Sequence, residues 1–404
     1  MKDSTEGASL KDGVEGPALS VRSASRAMMA GNFAIGCGVM VTAGSLNDLV
    51  ASLQVSVAVG GQLISVAAVA MALGAPLLAV LWGGVDRRLL LTGALVWYAL
   101  GHLLSALMPS YAALLPVRAL AVLGAAVFTP QAAAAINVMA PAAERGRAMT
   151  FVFMGWSLAS VLGMPLTSWI GETFGWRWAF VLVAVLSGAA AVAVWRTVPT
   201  GVKPPPLSLK GWGVVLSNPL LMGLVAITVL SGAGQFTLFS YMAPYFRKVV
   251  GASAETVSFL FLWFGAFGLL GNVLLTRWID RLGAARCVSV GLLLITLTML
   301  TWPLAGTATL MAVVVVPWAL GLFSSNSAQQ ARLSGAGPAY APALLALNTS
   351  AIYVGQAIGA AAGGAIISAA GMQALHHAGL AFLVLAVVLS VWLELRMRPA
   401  VARA

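Results

Sequence analysis

Long apolar runs alternate with short polar breaks along this chain, and the runs fall into one length class. Stretches of roughly 20 residues, the length a helix needs to cross a ~30 Å hydrocarbon layer, start near Ala27, Val55, Leu89, Tyr111, Met149, Trp176, Pro219, Ala254, Ala284, Thr307, Ala341 and Met372. The pattern predicts an all-α polytopic membrane protein with twelve transmembrane helices. The breaks at "MPS" from Met108 and "AGTA" from Ala305 are so short that their flanking helices must run antiparallel. An even number of spans puts both termini on one side.

The polar breaks decide which side. Those on the terminal side hold Arg87, Arg88, Arg145, Arg147, Arg196, Lys203, Lys210, Arg277, Arg281, Arg286 and Arg332, and the C-terminal tail adds Arg396, Arg398 and Arg403. The opposite breaks hold Arg177, Arg247 and Lys248. Lys/Arg excess marks cytoplasmic loops, so the expectation is a multi-pass protein of the cell inner membrane with both termini cytoplasmic. Composition agrees: 60% of the 404 residues are hydrophobic and 8% charged, against about a quarter charged in soluble domains. A net charge of +11 would point a soluble chain to nucleic acid. Here the loops account for it, so the partners expected are the lipid bilayer and small molecules, with no nucleic acid.

Residues 1–26 mix four acids with four bases and contain no apolar core, unlike a signal peptide. They read as a disordered cytoplasmic tail, with a second tail at 399–404. The longest internal break carries the proline run "KPPPL", which favours an extended linker. It is assigned to 198–218 and divides two six-helix halves, 27–197 and 219–398. The halves repeat. "WGGVDRRLLL" after span 2 matches "RWIDRLGAARCV" after span 8, and the small-residue runs "GWSLASVLGMPLTSWIG" and "LNTSAIYVGQAIGAAAGGAI" match between spans 5 and 11. Paired repeats of this kind form the plan of transporters that rock around a midplane site.

With these motifs the chain resembles the major facilitator superfamily, in its twelve-span drug:proton antiporter group and most closely the sugar-efflux (arabinose-efflux-permease-like) branch. The stretches that carry the resemblance include "LNDLVASLQVSVAVGGQLISVAAVAMALGAPLL", "GWRWAF", "FTLFSYMAPYF" and "ALNTSAIYVGQAIGAAAGG". It implies a monomer that exports a small neutral or amphiphilic solute, a sugar or drug, against protons. No cofactor, metal or catalytic residue is implied. Asp86, Arg87 and Arg88 resemble a shortened gating loop of this branch, and Asp280 and Arg281 its second-half copy. Such loops can hold the cytoplasmic side closed through charge pairs and helix-end contacts. In span 5, Gly155, Gly163 and Pro165 match the family's antiporter signature, although Thr167 and Ser168 replace part of its glycine end.

Arg118 matches the arginine of the family's span 4, but Ala121 and Val122 stand where Gln-Gly is usual. The resemblance has it face the central cavity beside span 1 and couple protons. The plainer reading is a long side chain snorkelling to the surface from about 10 Å down. No acid lies at depth. Asp48 at the end of span 1 is the nearest acid if spans 1 and 4 are neighbours, and a carboxylate facing an arginine could be part of the coupling; a solvated helix-end residue is the alternative. His102 in span 3 titrates in the physiological range when unperturbed, or is an ordinary bonded packing residue. By the resemblance, spans 1, 4, 7 and 10 line the substrate cavity with Asn32, Phe33, Thr129, Gln131, Gln235, Phe236, Phe239, Tyr241, Asn326 and Gln329. Amides and aromatics without a fixed acid suit a neutral solute.

Rival classes fit less well. There are no metal-spaced histidines, no intramembrane Ser/Lys or Asp/Asp pair and no nucleotide loop, as a membrane-embedded enzyme would need. A receptor without transport remains compatible with the fold. Within transporters, a proton symporter importing a nutrient is the nearest alternative, separated by the span 5 motif alone. Cys37 and Cys287, far apart in apolar segments, suggest neither a disulfide nor a metal site. Topology is directly testable: reporter fusions after Met108 and Gly306 should report the periplasm and one after Gly201 the cytoplasm, and a periplasmic signal at Gly201 overturns the assignment.

Overall fold

The computed structural model describes residues 17–141, 144–203 and 209–401. Among them twelve helices are long and apolar enough to cross a membrane: Val21–Gly44, Val57–Leu78, Arg87–Leu107, Tyr111–Met139, Ala148–Phe174, Trp176–Thr197, Pro219–Lys248, Ala254–Ile279, Ala284–Leu304, Ala308–Ala336, Ala343–Ala370 and Met372–Met397, hereafter spans 1 to 12. The chain is a multi-pass, all-helical membrane protein. Helices satisfy their backbone internally, as hydrocarbon demands. The polar breaks do local work at the helix starts, where the side chains of Ser56, Asp86, Ser110, Asn218, Ser253 and Thr307 accept hydrogen bonds from orphaned backbone N–H groups.

Several expected boundaries shift. The first helix begins at Pro17, so residues 17–26 extend span 1 and the expected disordered tail is shorter; residues 1–16 lie outside the described residues. The linker is helical over Leu209–Ser217, where the apolar residues after the proline run can pack, and Val215 is buried. The last helix runs to Val401. Asp48 does not end span 1. It belongs to a separate short helix, Leu46–Ser52.

Within each half, glycines set the distance between helices. A methyl group on Gly155 or Gly163 of span 5 would strike span 1 at Met29 and Phe33 and at Cys37 respectively, and one on Gly171 would strike Ser45 just after that span. On span 11, Gly355, Gly359 and Gly363 press on the carbonyls of Val229, Ala233 and Thr237 in span 7. Small residues permit such backbone-to-backbone approach where no hydrophobic force drives helices together. The small-residue runs of spans 5 and 11 are therefore the two halves' equivalent seams.

The halves touch through spans 2 and 11 and through spans 5 and 8. These contacts lie toward the side opposite the termini, here the far side. A methyl on Gly364 would fall 2.6 Å from the Gln62 amide, and one on Gly265 would fall 2.5 Å from the Ser160 carbonyl oxygen. At the far surface Arg247 of the second half pairs with Glu172 of the first at 3.8 Å, and Asn47 donates to the same carboxylate at 2.6 Å. Overpacking a close contact costs about 1–3 kcal/mol, so Gly265→Val should shift the population roughly tenfold or more toward a state open on the far side. Labelling of a single cysteine placed in the Gly265–Ser160 seam checks this, and unchanged labelling would show that the contact is not strained by the added methyls.

Candidate functional site

Between the halves lies a cavity of ≈ 1500 Å³. Its deep end is formed by Met40, Ala43, Ser160, Met164, Ser240 and Phe264, and it extends toward the terminal side, where Arg87, Asn137, Thr150, Trp212, Asn272 and Gln330 line it. Arg87 is the one formal charge among the described lining residues. Its guanidinium is occupied at the helix start by the carbonyls of Val85 (2.6 Å) and Gly83 (3.1 Å). The wall is otherwise amides, hydroxyls and aromatic rings, with Trp156, Phe236, Phe239 and Phe264 among the last.

Each half contributes an equivalent polar cluster. In the first, the Thr129 hydroxyl of span 4 donates to Asn32 Oδ1 of span 1 at 2.8 Å, and the Asn32 amide donates to the Val152 carbonyl of span 5 at 3.0 Å. In the second, Thr228 of span 7 donates to Asn348 Oδ1 of span 11 at 2.6 Å, and the Gln329 amide of span 10 donates to the Leu224 carbonyl of span 7 at 2.6 Å. Gln235 is oriented by Trp318, whose indole N–H donates to its carbonyl at 3.0 Å. Asn326 Oδ1, Gln329 Oε1 and the Ser240 hydroxyl are buried with no partner. Buried acceptors left unpaired are costly; these three belong to lining residues, and a turn of each side chain would offer it to a donor inside the cavity.

Thr129, Gln131, Gln235, Phe236, Phe239, Asn326 and Gln329 line the cavity as the sequence suggests. Asn32, Phe33 and Tyr241 do not. Asn32 is fully buried between spans 1, 4 and 5, and the backbone of Phe33 packs against Gly155. The Tyr241 hydroxyl donates to the Ala360 carbonyl at 2.7 Å, joining spans 7 and 11. Trp156, Ser240 and Gln356 also line the cavity, whereas Asn348 is buried behind the wall, bonded to Thr228. Ser240 neighbours a chosen residue by one helical step, and spans 5 and 11 carry the others.

Arg118 is the largest correction. It is 2% exposed and does not line the cavity. Nor does it snorkel. Its guanidinium is inside the first half, donating to the Gly38 carbonyl of span 1 at 2.6 Å and approaching His102 Nε2 of span 3 at 2.7 Å. The Phe180 ring of span 6 lies 5.5 Å away. The helix around it tightens at Val122, which separates Tyr111–Ala121 from Leu123–Met139, and Ala121 packs on Gly101 of span 3. Thus the alanine standing in the family's glutamine position packs Arg118's helix onto span 3, toward His102 and away from the cavity. His102 and Arg118 are brought together. Asp48 is not: its carboxylate accepts from the Trp176 backbone N–H at 2.7 Å and starts span 6.

In the gating loop, Asp86 makes helix-end contacts. It accepts from Arg88 N at 2.9 Å and from the backbone N–H of Gly201, while Arg87 N donates to the Val202 carbonyl at 3.0 Å. The loop therefore anchors the start of the linker to the first half. Arg88 stacks over Trp195 at 4.2 Å. Arg281 is exposed and Asp280 is in the last turn of its helix, its side chain outside the described residues. In span 5, residues Ala159–Gly163 form a π turn ending just before Pro165. Proline cannot donate to the preceding turn, and a π turn is one way a helix absorbs the mismatch. Gly155 and Gly163 face span 1, so the surface that meets the other half is Ser160–Val161. Among the described residues no cluster of His, Cys, Asp and Glu could hold a metal, and Cys37 and Cys287 are free and buried.

Asp48 yields a clean test. Asp48→Asn keeps an acceptor for Trp176 N–H and should transport normally, whereas Asp48→Ala should lose about 1 kcal/mol of stability, seen as a lowered thermal midpoint with coupling intact. Loss of proton coupling in Asp48→Asn would return the acid to the transport machinery.

The sequence model of the Major Facilitator Superfamily matches residues 28–341 and 224–404. The chain is 31% identical over 345 residues to the inner membrane transport protein YdhP of Escherichia coli (strain K12), covering 85% of this chain and 88% of the relative. It is 28% identical over 337 residues to a probable sugar efflux transporter of Mannheimia succiniciproducens, covering 83% of each. Among solved structures, the D-xylose–proton symporter superposes with a TM-score of 0.73 at 19% identity, covering 92% of this chain and 97% of that one. A bacterial homologue of the human lysosomal transporter Spinster, in an inward-facing and unoccupied conformation, gives 0.72 at 17%, covering 95% and 98%. Identities this low establish the shared fold.

Proposed function

The chain belongs to the major facilitator superfamily, which makes it a membrane transporter and not an enzyme; from that premise we propose that it exports a small neutral or amphiphilic solute across the inner membrane in exchange for protons. The observation that supports this reading is the cavity itself: an aromatic and amide-lined space between two six-helix halves, open at one end and sealed at the other. The terminal side is the cytoplasm by its Lys/Arg excess. The conformation described is then inward-facing, with solute admitted from the cytoplasm and the far-side contacts of spans 2, 5, 8 and 11 still to part.

Solute chemistry follows from the wall. No acid lines the described cavity, and its one base is committed to backbone carbonyls, so a cation gains nothing there. The unpaired acceptors of Asn326, Gln329 and Ser240 suit a hydroxyl-bearing solute, and the Phe236–Phe239 pair, with ring centroids 5.2 Å apart, offers an apolar face. A sugar or a hydroxylated amphiphile has both. The relatives named for sugar efflux support the outward direction, as does the resemblance of Gly155, Gly163 and Pro165 in span 5 to the antiporter signature.

Inverted membrane vesicles with an imposed proton gradient test the proposal. Uptake of at least one member of a panel of neutral sugars and uncharged antimicrobials should rise several-fold and collapse with a protonophore. Gln329→Leu should reduce it about tenfold, the equivalent of one lost hydrogen bond to solute. Solute movement in the direction of the protons would replace export by symport.

A further inference from the structure

We propose that His102 is a proton-binding site, and that its occupancy is passed through Arg118 and span 1 to the contact that closes the far side. The inference rests on the proton-coupled reading above and adds the atom that takes the proton and the parts that respond.

The first half encloses a charge without a counter-charge. Arg118 Nη2 donates to Gly38 O and Nη1 meets His102 Nε2, while Nε is buried with no partner. The ring's hydrogen follows from its neighbours. His102 Nδ1 is 2.9 Å from the Tyr98 carbonyl, which can only accept, so Nδ1 carries the hydrogen and the Nε2 lone pair receives Arg118. One lone pair cannot serve two donors. A proton arriving at Nε2 forms the N–H bond, removes the acceptor from Arg118 and leaves an imidazolium facing a guanidinium in an enclosed space, where like charges repel strongly. Arg118 must then leave His102, and its hold on Gly38 changes with it.

The groups around His102 leave few competitors. Arg118 faces it from span 4 and Tyr98 from its own helix, with the Tyr98 hydroxyl donating to the Ile35 carbonyl at 3.1 Å. Span 1 brings Cys37 beside Gly38, and span 6 brings the Phe180 ring at 5.7 Å. Asp48 is engaged at the start of span 6.

The response has a continuous route. A methyl on Gly38 would fall 2.8 Å from His102 Nε2, so the cluster bears directly on the span 1 backbone. The preceding residue, Cys37, is packed against Gly163, the last residue of the π turn. In the same turn the Ser160 carbonyl abuts Gly265 of span 8, across the boundary between the halves. A π turn holds one residue more than regular helix needs and marks places where helices shift, which supplies a two-state element for both ends to bias. His102 is five residues from the far end of span 3, about 7–8 Å along the helix. The far surface is thus the nearest source of protons along its own helix, the side from which an exchange of outside protons for solute draws them.

Three histidines make the site readable. In full-length protein carrying His376→Gln and His377→Gln, in lipid nanodiscs, the remaining imidazole is followed by ¹⁵N resonance from pH 8 to 4.5. Spin labels at Pro109→Cys and Gly306→Cys follow the far-side separation. The expected result is conversion of a neutral Nδ1–H ring to imidazolium, with the label distance lengthening over the same pH interval. His102→Gln keeps an acceptor for Arg118 and should abolish the pH response of the distance. Arg118→Gln should let the ring protonate at an at least tenfold lower proton concentration. A ring that stays neutral in folded protein, a titration without a distance change, or a pH-dependent distance in His102→Gln overturns the inference. If wild-type vesicles export with protons and His102→Gln does so equally, the site is refuted while the export reading stands. If wild-type vesicles show symport, the export reading falls and the titration is unaffected.

Discussion

Helices in hydrocarbon gain nothing by hiding leucine from lipid, so what holds this bundle together is how closely its backbones can approach. Two glycine series set that approach. Gly155, Gly163 and Gly171 seat span 5 on span 1, and Gly355, Gly359 and Gly363 seat span 11 on span 7. Everything of functional interest hangs on those seams. They hold spans 1 and 5 near enough for Asn32 to bond the Val152 carbonyl, and they carry the π turn whose outer surface meets span 8. The two seams are equivalent members of an internal repeat, so one packing solution serves both halves.

The chain keeps its charge and its cavity apart. The space between the halves is bounded by amides, hydroxyls and aromatic rings, with Arg87 tied to its own helix start. Arg118 is instead enclosed within one half, bonded to a carbonyl and an imidazole. Arginine in a membrane normally requires a water-filled surface or partner groups, and here the partners are neutral. A solute can thus occupy the cavity without touching the charged cluster. Any influence of one on the other must pass through span 1 and the helix-to-helix seams, which is a mechanical rather than an electrostatic form of coupling.

The closed end is narrow in chemistry but broad in contacts. Gly265 against Ser160, Gly364 against Gln62, and Glu172 with Arg247 and Asn47 are three unlike interactions spread along the far side. The first is a backbone-to-backbone approach, the second a side-chain amide against a glycine, and the last a polar contact near the far surface. The Arg247–Glu172 pair is long at 3.8 Å and its arginine is exposed, which limits its contribution, so the seal depends chiefly on the packed glycines. The loop carrying Asp86 acts at the opposite end, holding Gly201 and Val202 of the linker to the first half.

Hydropathy was enough to read twelve spans, because the cost of placing polar backbone and charge in lipid constrains composition along the whole chain; the family resemblance was carried by short motifs. The cavity was legible where a residue type leaves few other roles, as with Gln235, Asn326 and Gln329. It was not legible for Asn32, Tyr241 or Arg118. A membrane helix is apolar on every side, so its pattern carries little sign of which face meets lipid, a neighbouring helix or water. One residue turns the side chain by about 100°, and the tightened turn at Val122 and the π turn at Ala159–Gly163 change that phase within a span. Asp48 shows the same limit: it was read as the end of span 1, and its place in the separate helix Leu46–Ser52, where it faces the Trp176 N–H and not Arg118, was decided by the packing. The sequence by itself determined how often the chain crosses the membrane and what it could place there; only the tertiary packing decided which side chains share a space, since that depends on the rotation of each helix about its own axis.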